Sequence, residues 1–278
     1  MHELLAPHED GRPRVMGIVN VTPDSFSDGG RFHEADAAIT HGLALLDQGA
    51  DWLDIGGEST RPGAEPVGED DELARVLPVV EGVLKARPDA AISIDTMKPA
   101  VARAAVTAGA AMWNDVTALA APGALEAAAE LSCLVCLMHM QGAPQTMQTN
   151  PAYENVVTDV ARHLGRRAGA ALSHGVDRAH VLIDPGIGFG KTLQHNLALM
   201  AALDSFSGLG FPVLFGASRK RFIKAIDDSA DAAGDRLGGS LAAALHAARA
   251  GCAVIRVHDV RETVQALKVQ AAIEQAKR

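Results

Sequence analysis

The chain has 278 residues, 48% hydrophobic and 21% charged, a composition that excludes disordered and fibrous classes and suffices to bury a large core. Its formal net charge of −9 argues against nucleic acid or an anionic membrane as partner, so an anionic small molecule must be drawn by a local basic cluster. No run approaches the ~20 apolar residues of a membrane span, and the opening MHELLAPHEDGRPR lacks the apolar core of a signal peptide, so the expected location is the cytoplasm.

The first apolar segment, residues 15–19, has no polar alternation and reads as a strand buried on both faces. At Asn20 it gives way to Thr22, Pro23, Asp24, Ser25, Ser27, Asp28 and two glycines, a polar loop. The pattern then recurs, with further apolar segments at 52–55, 91–94, 112–113, 134–138, 181–183, 213–215 and 254–257. Helical stripes lie between them: Ile39, Leu43 and Leu46; Leu73, Val76, Leu77, Val80, Val83 and Leu84; and Val156, Val160, Leu164, Ala168 and Leu172. Pro99 and Pro122 are expected in first turns, Gly49, Gly109, Gly175 and Gly251 at helix ends, and Asp259 with Glu262 as a capping box for the last helix. Residues 227–235 read as a solvated loop.

Strands alternating with helices imply parallel pairing through helical crossovers. Eight such units predict an α/β fold, a (β/α)₈ TIM barrel forming a single domain over residues 1–278. An open doubly wound sheet is the competing arrangement, disfavoured because the count is eight and no GxGxxG follows the first strand.

Three cysteines make no disulfide framework. Cys133 and Cys136 form a CxxC, but residues three apart in a strand point to opposite faces, which favours a structural role over a redox one.

A barrel of this kind gathers chemistry at the carboxyl ends of its strands. The eight ends here carry Asn20; Asp54 with GGESTRPG; Asp95; Asn114 and Asp115; Met138, His139 and Met140; Asp184 with PGIGFGKT; GASRKRF; and Arg256 with His258. Asp95, Asn114, Asp184 and Lys220 offer acceptors, an amide and a cation to a flat heterocycle with an edge of NH, NH₂ and C=O groups. Asn20, Arg61, Arg256 and His258, with the amides of a helix expected to start near Ser218, suit a phosphate or carboxylate. The residues alone therefore point to an enzyme that joins or cleaves something with a polar heterocycle and an anionic group. GIGFGKT is not a P-loop, because Pro185 stands where glycine is required. Of the basic run SRKR, Lys220 is the expected site residue, and Arg219 and Arg221 read as a solvated face.

The motifs NVTPDSFSDGG, LDIGGESTRPG, IDTMKP, WNDV, LMHMQG, DPGIGFGK, GASRK (from Gly216) and RVHDV, in this order along nearly the whole chain, resemble dihydropteroate synthase. The resemblance implies condensation of 6-hydroxymethyl-7,8-dihydropterin diphosphate with p-aminobenzoate, giving 7,8-dihydropteroate and pyrophosphate. It implies that Asp95, Asn114, Asp184 and Lys220 hold the pterin beside Met138 and Phe189, and that Asn20 ligates Mg²⁺. It further implies that Thr60, Arg256 and His258 bind the diphosphate, and that Arg61, Pro62, Phe189 and Ser218 line the p-aminobenzoate site. Asp95, Lys220 and Arg256 are the expected catalytic residues, and Gly216 joins the substrate-binding set. A homodimer is the expected assembly. Two rivals stay open: a pterin-dependent corrinoid methyltransferase, which has no use for NVTPDSFSDGG, and a catalytically silent pterin-binding homologue.

Overall fold

The computed structural model describes residues 2–22, 30–60 and 63–277, without the side chains of 30–33. The chain runs β1 (Arg14–Asn20), α1 (Gly30–Asp47), β2 (Trp52–Gly56), α2 (Glu69–Ala86), β3 (Ala91–Asp95), α3 (Pro99–Thr107), β4 (Met112–Asp115), α4 (Ala124–Leu131), β5 (Leu134–Met138) and α5 (Val156–Ser173). It continues through β6 (Val181–Asp184), α6 (Leu193–Ala201), α7 (Leu203–Ser207), β7 (Leu214–Phe215), α8 (Arg221–Ile226), α9 (Leu237–Arg249), β8 (Val254–Val257) and α10 (Val260–Gln275). All ladders are parallel, in the order β6-β5-β4-β3-β2-β1-β8-β7, and an Ile183–Val213 bridge links β6 to the segment entering β7. This is a (β/α)₈ barrel. Among the described residues no helix is long and apolar enough to cross a membrane.

Each strand is apolar on both sides because the sheet is covered on both. Residues such as Val19, Ile55, Ile94, Leu137 and Ile183 face outward into one buried cluster with Val76, Val80 and Val83 of α2 and Val160 and Leu164 of α5. Their alternates face inward: Met16, Trp52, Met112, Leu134, Cys136, Leu182, Leu214 and Val254 form a second cluster, joined by Leu5. Leu5 belongs to a short 3₁₀ turn, Glu3–Leu5, that plugs the amino-terminal end, where the Trp52 indole N–H donates to the Leu4 carbonyl at 3.2 Å. Two residues farther along four of the strands the interior turns polar. Asp54 follows Trp52, Asn114 follows Met112, Asp184 follows Leu182 and Arg256 follows Val254.

The four glycines expected at helix ends all take left-handed φ, from +82° to +113°. Pro99 opens α3 as expected. Pro122 does not sit in a first turn: Gly123 caps α4, leaving Pro122 outside the helix. The expected capping box at Asp259 is also absent. Asp259 is the N-cap of α10 without a side-chain cap bond, because its carboxylate is taken by Arg219. Cys133 packs in the outer cluster and Cys136 in the inner one, as the strand argument required. Burial pushes the Cys133 thiol up to about 11 and Cys136 higher than its usual range, and all three cysteines are unbridged.

Candidate active site

Arg256 crosses the carboxyl-terminal mouth and ties two strands together. Its Nε donates to Asp54 Oδ2 at 2.5 Å, and its Nη2 donates to Asp95 Oδ2 at 2.8 Å. Asn114 Nδ2 donates to the same Asp54 oxygen at 3.2 Å. Register explains the meeting: Asp54 lies beside Ser93 and Gly56 beside Asp95 across β2 and β3, while Asp95 lies beside Asn114 across β3 and β4. Burial pushes the Asp95 carboxyl up to about 7, helped by the negative charge of Asp54 and opposed by Arg256. Burial also works against the charge of Arg256, but Asp54 and Asp95 outweigh it and hold the guanidinium firmly protonated.

The opposite wall comes from β6 and the loop after it. Asp184 Oδ1 accepts the Gly186 N–H at 2.7 Å, and burial raises its carboxyl against the pull of that amide and of Lys220. Lys220 Nζ donates to the Ile187 carbonyl and sits 4.3 Å from the centre of the Phe189 ring, a cation–π contact. Burial brings this amine down to about 8, with Asp184 acting the other way. Gly186 has φ +68°, and a Cβ there would lie 2.0 Å from the carbonyl oxygen of His139, so this loop rests directly on the chain leaving β5. Gly188 N–H donates to Asn196 Oδ1 at 2.6 Å and the Tyr153 hydroxyl to the Gly190 carbonyl at 2.7 Å, which fixes the rest of the loop.

Asp95, Asn114, Asp184, Lys220 and Arg256 thus share one mouth, with electrostatic influence passing among Asp95, Asp184, Lys220 and Arg256. Met138 is buried at the end of β5, and Gly216 is buried with the Arg256 stem 3.7 Å from where its Cβ would be. Ser218 is buried and bonded to His258: its Oγ accepts the His258 backbone N–H at 3.2 Å and lies 3.0 Å from His258 Nδ1. The helix expected at Ser218 begins only at Arg221, with Lys220 as its N-cap. Arg219, at φ +58°, breaks the run before it. Arg219 is partly exposed but also paired: its Nε donates to Asp259 Oδ2 at 3.0 Å, and its backbone N–H to Ser240 Oγ at 2.9 Å. Asn20 ends β1, paired with Gly56, and Thr60 follows β2, half-buried. Arg61, Pro62 and residues 23–29 lie outside the described residues.

Three groups that sequence motifs left without a role join the mouth or brace it. Asp54 is the first; a lone acid inside the fully buried WLDIG was its signal. Lys191 is the second. Its Nζ reaches His139 Nδ1 at 3.0 Å, the His139 carbonyl at 3.2 Å and the Phe189 carbonyl at 2.9 Å, and burial brings it down to about 7. Lys98 is the third, bridging Glu58 of the loop after β2 to the buried Glu72 of α2. A cleft of about 530 Å³ lies between the loop after β5 and α5, lined by His139, Tyr153, Arg162 and His163 among others.

Among the described residues no three His, Cys, Asp or Glu side chains gather to hold a metal ion. Asn20 offers one hard oxygen at the mouth. That donor fits a Mg²⁺ held mainly by water and by the oxygens of a bound phosphate ester.

A family model described as pterin binding enzyme matches residues 16–258. The chain is similar to the dihydropteroate synthase of Escherichia coli (strain K12), 48% identical over 265 residues that cover 95% of this chain and 93% of that protein. It is similar in structure to Xanthomonas albilineans dihydropteroate synthase with 4-aminobenzoic acid, at TM-score 0.89 and 52% identity, covering 95% of this chain and 93% of that one. The same organism's enzyme in complex with 7,8-dihydropteroate matches at TM-score 0.85 and 49% identity, covering 95% and 94%.

Proposed function

The chain belongs to the dihydropteroate synthase family of pterin-binding enzymes, and from that premise we propose how its own side chains divide the work. It is a transferase that joins the pterin of 6-hydroxymethyl-7,8-dihydropterin diphosphate to p-aminobenzoate, giving 7,8-dihydropteroate and pyrophosphate. The likeness to dihydropteroate synthases sets aside the corrinoid methyltransferase. The whole chain is taken as one pterin-binding domain.

Asp95, Asn114, Asp184 and Lys220 surround the pterin, with Met138 and Phe189 packed near it, Gly216 leaving room beside Arg256, and Arg256 against the ring. Thr60, Arg256 and His258 grip the diphosphate. Arg61, Pro62, Phe189 and Ser218 line the p-aminobenzoate site; with Ser218 ahead of α8 rather than at its start, the hydroxyl paired with His258 is what it offers there. Asn20 would hold Mg²⁺, which when bound neutralises the departing oxygens.

The observation that carries the mechanism is Arg256 held by two carboxylates, Asp54 and Asp95. Once Asp95 is ionised, which its position near 7 makes a condition of pH, one guanidinium between two carboxylates leaves an anionic surplus beside the ring. When the diphosphate departs, the methylene and ring acquire positive charge, and Asp95 stabilises it as it develops. Lys220, on the opposite wall, orients the ring through its own fixed position over Phe189. The incoming arylamine is already neutral at pH 7, so no strong general base is required.

The test is pyrophosphate release on mixing purified protein with both substrates and Mg²⁺. No release overturns the activity. Sulfonamides are expected to compete with p-aminobenzoate; competition with the pterin diphosphate instead would displace the arylamine pocket from Arg61 and Ser218. Chelation is expected mainly to raise the KM for the pterin diphosphate, and an unchanged rate would remove Mg²⁺ from Asn20. The reading places a homodimer in the cytoplasm. Three buried unbridged thiols suit a reducing compartment, and the exposed Val269 and Ile273, one turn apart on α10, suit an interface.

A further inference from the structure

Asp54 has no part in binding in the reading above, yet it is fully buried at the floor of the mouth, beneath Asp95. One of its oxygens, Oδ2, serves two neighbours, Arg256 Nε and Asn114 Nδ2. The other, Oδ1, is buried without a partner among the described residues, as is the hydroxyl of Ser93 beside it on β3. A buried carboxylate with one oxygen unsatisfied is a poor way to fill a barrel whose next layer down is Trp52, Met112 and Leu134. Stability alone would favour an apolar residue there. The geometry gives the acid another purpose. Arg256 projects from β8 with 2 different nitrogens engaged, Nε downward to Asp54 and Nη2 sideways to Asp95, and a planar fork held at Nε cannot swing.

We propose that Asp54 is a positioning residue of the pterin site: from below the floor it locks Arg256 by its Nε edge and holds the amide of Asn114, so that one buried carboxylate aims two ring-facing groups. This rests on the reading of the mouth as a pterin site. Asp54 need not touch the substrate. Its effect falls on the pterin half of the reaction and not on p-aminobenzoate, because the two groups it holds, Arg256 and Asn114, are not among the proposed p-aminobenzoate contacts.

Two variants and one signal test this. Asp54→Ala removes the acceptor, and Asp54→Asn keeps an oxygen of the same reach. In folded Asp54→Ala, the KM for the pterin diphosphate is expected to rise roughly 10- to 100-fold, the worth of a hydrogen bond to a charged group, while the KM for p-aminobenzoate stays unchanged. Asp54→Asn should recover most of the loss. A residue that merely supports the fold would lower the active fraction and leave both KM values alone; that result, or equal rises in both, overturns the proposal. In wild-type protein labelled with ¹⁵N-arginine, the Arg256 Nε–H, assigned by its loss in Arg256→Lys, should be protected from hydrogen exchange without any ligand. A freely exchanging Nε–H overturns the proposal even if Asp54→Ala fails to fold. Absence of turnover in the wild type would remove the premise and the inference together, whereas normal turnover with unselective KM changes removes the inference alone.

Discussion

The two halves of the barrel interior are stacked along the same strands and obey opposite rules. The amino-terminal half is a dry layer of Met16, Trp52, Met112, Leu134, Leu182 and Val254 stoppered by Leu5. The carboxyl-terminal half is a ring of charges that includes Asp54, Asp95, Asp184, Lys220 and Arg256. The lower half gains from every group it buries, while the upper half must match each buried charge to a partner. The difference teaches that this fold separates what holds it together from what it does within a few residues of each strand's length.

Three outcomes would break or sharpen that contrast. Trp52→Ala empties the largest inward side chain of the lower layer and is expected to cost about 3–5 kcal/mol of unfolding free energy. Turnover per folded molecule should stay near wild type; a large loss of turnover would mean the layers are coupled. Asp95→Asn is expected to do the reverse, lowering turnover ~10²- to 10³-fold, about 2.7–4 kcal/mol in the transition state. Its pterin affinity should be largely kept and its melting temperature should not fall. Near-normal turnover in that variant would refute the role given to Asp95.

The third outcome is smaller and lies in pH. The Asp95 carboxyl stands near 7 in the fold against 3.8 for an ordinary aspartate, so the folded state holds a proton that the unfolded state has released. The stability this contributes is complete below the ordinary value and is lost as pH rises through about 7, by at most about 1.4 kcal/mol per pH unit. Other groups titrate as well, so the useful quantity is the difference between wild type and Asp95→Asn. Melting curves from pH 4 to pH 8 should show the variant gaining on the wild type as pH rises, and parallel curves would mean that Asp95 is ionised in the empty site.

Much of this was legible in the chain because each strand is a short apolar run that ends abruptly in polar residues, as at Asn20 and Asp184. The order of such runs dictates parallel pairing, and the barrel places their ends together. What stayed hidden depends on contacts between distant residues. Asp54 reads as one more strand-end acid until closure of the barrel brings Arg256, 202 positions later, against it. Asp259 and Arg219 each fit a local explanation, a helix cap and a solvated face, and the structure pairs them across 40 residues instead. Lys191 falls in a failed nucleotide-loop pattern, and only the packing of that loop on His139 shows what its amine is for. The late start of α8 follows from one left-handed residue, which no run of basic side chains announces.

The contact at Gly186 has a consequence for how this pocket can change. With the His139 carbonyl 2.0 Å from any methyl that position 186 might acquire, the segments after β5 and β6 are laid flush and leave no slack between them. Neither can be grafted from a relative without the other, and remodelling of one is transmitted to the carbonyl that Lys220 grasps at Ile187.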